Sequence, residues 1–201
     1  MKKDTKQEII ETAFKLFHEQ GYANVSVRNI ADELNISVGN LTYHFKKKED
    51  LIEAVIIDQY ENFQVPATPT TISELNDFFL LGVSHQKQED YFFAHYGELA
   101  SISPKVYEVQ VAAIQKRKQK LQVAFQNLQR TGDMLPEEVP GQINALIDVL
   151  NIIKIYWTPN QEAFTNAKES PFDCLWSLIY PRLTAKGKAT FQEDIQTRNI
   201  A

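Results

Sequence analysis

Residues 26–45 read SVRNIADELNISVGNLTYHF, and their spacing decides the fold. Ser26 is a helix-capping residue ahead of Val27, Ile30, Ala31 and Leu34, which recur at helical spacing. Asn35-Ile36-Ser37 then makes a tight turn into a second short helix with Leu41 and Phe45 on its inner side. Two short helices joined this closely form a helix-turn-helix, whose second helix enters the major groove of DNA. Each special position has a physical reason. Ala31 falls where the helices cross, and only a small side chain lets them approach. Asn35 tolerates the positive φ that the turn needs better than any residue but glycine. Ser37 caps the second helix, and Gly39 removes a side chain at its start, allowing close approach to DNA. Val38, Asn40, Thr42, Tyr43 and His44 are left facing outward.

Working outward, Thr5 followed by Glu8 is a capping-box pattern. It opens a helix with Ile9, Ala13, Phe14 and Phe17 on a broad face, and Gly21 is placed to close it. Downstream, a longer helix runs over 49–63 until QVPATPTT at 64–71 breaks it. Further helices are expected over 72–88, 90–101, 104–130, 142–157 and 171–183, the third and the last opened by Ser-Pro pairs at 103–104 and 170–171. Strand-like alternation is nearly absent. The pattern predicts an all-α protein: an N-terminal three-helix helix-turn-helix DNA-binding domain at 1–48, a linking helix at 49–63, and a larger helical domain at 64–201.

Composition sets limits. With 201 residues, 43% of them hydrophobic, the chain can bury a core without metal or disulfides. No apolar run approaches the roughly 18 residues that span a bilayer. The start, MKKDTKQEII, holds no signal-peptide apolar region, so a soluble, cytoplasmic protein is expected. A single cysteine, Cys174, excludes an intramolecular disulfide and any multi-cysteine zinc site. The net charge of −5 lies entirely in residues 51–201, because residues 1–50 balance eight basic against eight acidic side chains. Bulk charge does not coat nucleic acid here, but Lys2, Lys3 and Lys6, and then Lys46, Lys47 and Lys48, form local positive clusters.

The pattern Ile30-Ala31, a turn, Ser37, Gly39, Leu41, His44-Phe45, Lys48-Glu49 and Leu51 resembles the TetR family of transcriptional regulators over residues 5–55. Asn35 stands where the family usually has glycine, and Thr42 where it usually has tyrosine, with Tyr43 one place on. The resemblance implies a homodimer binding a near-palindromic double-stranded DNA operator, with the sense of a repressor. It also implies a C-terminal domain that dimerises and houses an inducer, whose binding shifts the linking helix and the spacing of the recognition helices. The DNA-contacting candidates are Arg28, Ser37, Val38, Gly39, Asn40, Thr42, Tyr43, His44 and Lys48. Of the lysine triplet, Lys48 matches the family lysine at the start of the next helix.

Residues beyond 50 hold 17 of the 22 aromatic side chains, which suits a core and, within it, a cavity for a small apolar or aromatic inducer. Phe78, His85, Tyr96, Tyr107 and Gln110 are the pocket candidates. The helices over 142–157 and 171–183 are apolar around much of their circumference, which fits a core joined to a four-helix dimer interface. Leu146, Leu150, Trp157, Trp176 and Ile179 are its candidates. There is no glycine-rich phosphate loop, no nucleophile elbow and no metal-spaced ligand set, so neither an enzyme nor a cofactor is expected. The rival reading is a helix-turn-helix protein-interaction module without sequence-specific DNA binding, for which the near-neutral N-terminal segment and Thr42 leave room.

Overall fold

The computed structural model describes residues 4–88, 90–160 and 170–196. Lys2 and Lys3 lie outside them. Eleven α-helices occur among the described residues: α1 (Thr5–Gln20), α2 (Val27–Glu33), α3 (Val38–His44), α4 (Lys48–Asn62), α5 (Ile72–Gln88), α6 (Asp90–Ala94), α7 (Tyr96–Ala100), α8 (Pro104–Arg130), α9 (Gln142–Asn160), α10 (Pro171–Ile179) and α11 (Ala185–Phe191). The only extended pairing among these residues is one isolated bridge, Met134 to Leu183. No described helix is long and apolar enough to cross a membrane.

By packing, the chain forms two compact units. One comprises Met1–Gln64 with Glu89–Ala113, the other Val65–Gln88 with Ile114–Ala201. The segment 90–113, which the sequence reading places in the larger domain, therefore packs with the helix-turn-helix. In the first unit α1 buries Ile9, Ala13 and Phe17 against Leu51, Ile52 and Val55 of α4. Phe92 of α6 stacks on Phe14 of α1 with ring centroids 5.3 Å apart. In the second unit Phe79, Leu121, Phe125, Leu150 and Trp176 share one core. The Trp176 indole there donates to the buried Asn76 Oδ1 at 3.2 Å, which keeps both polar groups paired.

Several boundaries differ from the sequence reading. Asp4, not Thr5, caps α1: its carboxylate accepts the Lys6 N–H at 3.2 Å. The helix expected over 90–101 is broken at His95, whose Nδ1 lies 2.9 Å from the Tyr91 carbonyl. Helix α9 runs through Thr158 and Pro159 to Asn160, whose side-chain amide donates to the Tyr156 carbonyl at 2.8 Å. The last expected helix ends at Ile179, and α11, which the sequence reading lacks, follows.

Helix α11 is docked through its first turn. Thr184 caps it by accepting the Gly187 N–H at 3.1 Å and itself donates to the Gly132 carbonyl at 2.8 Å. A Cβ at Gly187 would lie 2.0 Å from the Asp133 carbonyl oxygen, so only glycine lets these backbones meet. Gly187→Ala should destabilise the protein by about 1–3 kcal/mol. Gly97→Ala on α7, where an added Cβ meets nothing within 4 Å, should instead be neutral or stabilise by up to ~1 kcal/mol. Chemical denaturation of both variants checks the pair.

Candidate nucleic-acid interface

The recognition element is built from local devices. Ser26 and Asn29 close a reciprocal cap on α2, with Asn29 N–H to Ser26 Oγ at 3.2 Å and Ser26 N–H to Asn29 Oδ1 at 2.8 Å. Asn35 takes φ +53°, and the Ile36 N–H closes the turn on the Ala31 carbonyl at 3.0 Å. Ser37 Oγ then accepts the Asn40 N–H at 3.1 Å and starts α3. Leu41 and Phe45 are buried and anchor α3 from beneath. Deleting the Leu41 side chain would cost about 2–5 kcal/mol.

The opposite face is free. Tyr43 is 84% exposed, and Ser37, Val38, Gly39 and Asn40 are exposed beside it. Thr42 and His44 are half-buried. The Thr42 hydroxyl donates to the Gly39 carbonyl at 3.1 Å, and the His44 ring meets Tyr43 edge-on with centroids 5.2 Å apart. Arg28 is exposed on α2, and its contact with Asp32, at 3.9 Å on the next turn, is long. Surface pairs of this kind are worth less than about 1 kcal/mol and leave the arginine available to another anion.

Lys48 is placed differently. Its ammonium donates to the Tyr22 carbonyl and lies 4.0 Å from the centre of the Tyr22 ring. Burial holds it below the usual lysine range, against the raising influence of Glu49. Lys46 and Lys47 are exposed at the same junction, and Lys6 reaches over the Phe45 ring at 5.9 Å. Sequence reasoning also missed the other clasp on this turn, the Tyr22 N–H donating to Tyr91 Oη at 2.7 Å. No local signal announces a bond between residues so far apart in the chain.

Residues 9–55 match the family described as bacterial regulatory proteins, tetR family, and residues 59–191 match a bacterial transcriptional repressor family of the same kind. The chain belongs to the tetR family of bacterial regulators. Its relatives include the "Probable HTH-type transcriptional regulator YttP" of Bacillus subtilis (strain 168), 28% identical over 160 residues, which are 75% of this chain and 77% of that protein. A second, an HTH-type transcriptional regulator of Staphylococcus aureus (strain USA300), is 51% identical over 54 residues, 27% of this chain and 29% of that one. A TetR-family regulator from Marinobacter aquaeolei VT8 has the same fold, with a TM-score of 0.74 and 20% identity over 91% of this chain and 93% of that one. The protein is thus a transcriptional regulator with a DNA-binding helix-turn-helix.

The remaining candidates of this tetR-family chain divide between the units. Phe78 and half-buried His85 belong to the second unit; Tyr96, Tyr107 and Gln110 belong to the first. Gln110 lines, with Ile56, Gln59, Tyr60, Phe92 and Leu99, a hollow of about 20 Å³, room for one water molecule. Its amide donates to the Tyr96 carbonyl at 3.4 Å, and Tyr107 is exposed. Leu150, Trp157, Trp176 and Ile179 are buried and Leu146 is half-buried, so the four buried side chains are not on the surface of the unit. The large apolar side chains exposed on α9, among the described residues, are Val149, Ile152 and Tyr156, with Leu178 on α10.

The lysines give a test. Lys48→Met removes a partner of a half-buried carbonyl and should lower stability by about 1 kcal/mol while leaving the salt dependence of DNA binding unchanged. Lys46→Ala combined with Lys47→Ala should leave stability unchanged and reduce the salt slope by about two units. Thermal melts and DNA titrations at several salt concentrations measure both.

Proposed function

We propose that the protein is a homodimeric repressor that grips a near-palindromic operator through paired α3 helices and releases it when a small molecule occupies residues 64–201. The observation that carries the DNA reading is the outward face of α3: a tyrosine 84% exposed over a wholly buried Leu41. A large aromatic held this far out on an anchored helix gains nothing from the fold. Gly39 supports the same reading. An added Cβ there would meet only Ser37 Oγ, at an easy 3.8 Å. Glycine in a helix costs about 1 kcal/mol relative to alanine, and nothing inside the protein requires it at this position.

In this reading Val38, Asn40, Tyr43 and His44 meet base edges, while Ser37, Gly39 and Thr42 bring the backbone against the sugar-phosphate chain. Arg28, Lys46 and Lys47 meet phosphates, and Lys48 holds the start of α4 to the Tyr22 turn instead of reaching for DNA. Residues 1–48 read DNA, 49–63 link, and 64–201 dimerise and bind the effector, in the cytoplasm. The dimer face is Val149, Ile152 and Tyr156 of α9 with Leu178 of α10, in place of the tryptophans. At i, i+3 and i+7 the three α9 side chains form one stripe.

Selection from random duplex DNA should enrich a palindrome whose half-sites lie about 34–36 Å apart. Tyr43→Ala and Gly39→Ala should each weaken that complex by about ten-fold or more, with no loss of thermal stability. The absence of any enriched sequence, with and without cell extract metabolites, points instead to the protein-interaction module. Ile152→Glu together with Tyr156→Glu should give a folded monomer by light scattering; a dimer that persists removes α9 from the interface.

A further inference from the structure

Arg117 on α8, half-buried, points its guanidinium into the second unit with no acid to meet it among the described residues. Its Nε and Nη1 are shut off from solvent and have no hydrogen-bond partner among the described residues. The guanidinium carbon lies 6.0 Å from the centre of the Phe78 ring, which compensates only part of the lost hydration. Burial alone pushes the group down to about 9. Asp148, the acid that α9 brings alongside, is already bound to Lys118 at 2.7 Å.

The acceptors that α9 brings alongside are already taken. Lys118 meets Asp148 and Gln122 meets Asn144, so α8 and α9 run antiparallel. That register puts Asn151 less than one turn from Arg117 along the helix axes. Asn151 is buried, and its Nδ2 also lacks a partner among the described residues. One turn on, Lys154 donates to the Gly82 carbonyl at 2.9 Å. Enclosed donors without partners call for acceptors, and a half-buried guanidinium whose Nε and Nη1 are shut off from water without a counter-charge is unfavourable where methionine or leucine would pack freely.

We propose that Arg117 is the anion-binding residue of the effector site, taking a small organic anion whose carboxylate pairs with the guanidinium while its apolar body lies against Phe78. The proposal rests on reading residues 64–201 as the effector domain, and it adds a charge to the apolar or aromatic inducer expected from the aromatic content. Asn151 supplies a second donor to the same carboxylate.

Calorimetric titration of the purified full chain, without DNA, tests this with benzoate, hexanoate and 2-naphthoate, and with 2-naphthamide as the neutral match of the last. At least one carboxylate should bind saturably, once per chain, and Arg117→Met should weaken it by about ten-fold or more. The amide should bind more weakly and be indifferent to the substitution. No saturable binding of any of the three carboxylates up to about 10 mM, or equal affinity in Arg117→Met, overturns the proposal. Arg117→Met should melt no lower than the parent protein, because it removes an unpaired charge; a midpoint lowered by more than about 5 °C assigns the arginine to the fold and also overturns it. Arg117→Lys keeps the charge but not the planar fork, so a several-fold loss supports the pairing and unchanged affinity speaks against it. Because DNA is absent, a carboxylate that binds through Arg117 without releasing operator leaves the site standing and removes only its role as effector.

Discussion

Tyr22 sits in the short turn between α1 and α2, and three neighbours hold it. Tyr91 Oη accepts its N–H at 2.7 Å, Lys48 donates to its carbonyl, and Phe17 meets its ring edge-on at 5.3 Å. Backbone groups in a turn have no helical partner, and leaving one buried and unpaired costs about 1–3 kcal/mol. Supplying the partners from α4 and α6 fixes the turn, and with it the direction in which α2 leaves α1. Helix α3 follows α2 through four residues, so the aim of Tyr43 is inherited from the contacts around Tyr22. A lysine at the start of α4 is thereby a structural residue first, whatever its charge contributes at a distance.

The second unit handles its buried polar groups in two ways. Around Trp176 every demand is met: the indole has Asn76, the Phe79 ring stands edge-on at 5.8 Å, and α11 closes the far side through Phe191. The loop before α9 is equally well supplied, with Thr184, Lys186 and Arg182 donating to the carbonyls of Gly132, Thr131 and Pro136. Arg117 has no such arrangement. It stands on α8, a helix that gives Val106 and Gln110 to the first unit and Leu121 and Phe125 to the second.

What the sequence disclosed, and what it withheld, follows from the range of each interaction. Ser26, Asn35 and Ser37 act within four residues of themselves, and all three devices sit where their chemistry demands. The start of α1 slipped by one place because Asp4 and Thr5 are both competent caps. Helix α11 was not legible: its sequence, AKGKATF, has little apolar periodicity, and it depends on the Asp133 carbonyl receiving Gly187. The partner of Lys48 was hidden for the same reason, being 26 residues away. On the apolar helices α9 and α10 the pattern showed that much must be covered without showing by what. Packing density then favours the largest side chains inside, so Trp157 and Trp176 are buried while Val149 and Ile152 remain at the surface.

Two positions break a local rule without full compensation among the described residues, and a third shows what compensation looks like. Gly187 is an unfavourable helical residue, yet the Asp133 carbonyl 2.0 Å from its missing Cβ explains it fully. Gly39 is the same residue in a helix with nothing pressing on it, and Arg117 is a half-buried cation whose enclosed Nε and Nη1 have no hydrogen-bond partner among the described residues. Sequences tend to agree with their folds at every level except where something outside the fold imposes a demand. A missing side chain accommodates a surface that comes close; an unmatched charge accommodates an opposite charge that arrives. The first describes a nucleic-acid backbone at α3, the second an anion among α5, α8 and α9. Each exception thus has the physical form of the partner it is proposed to receive.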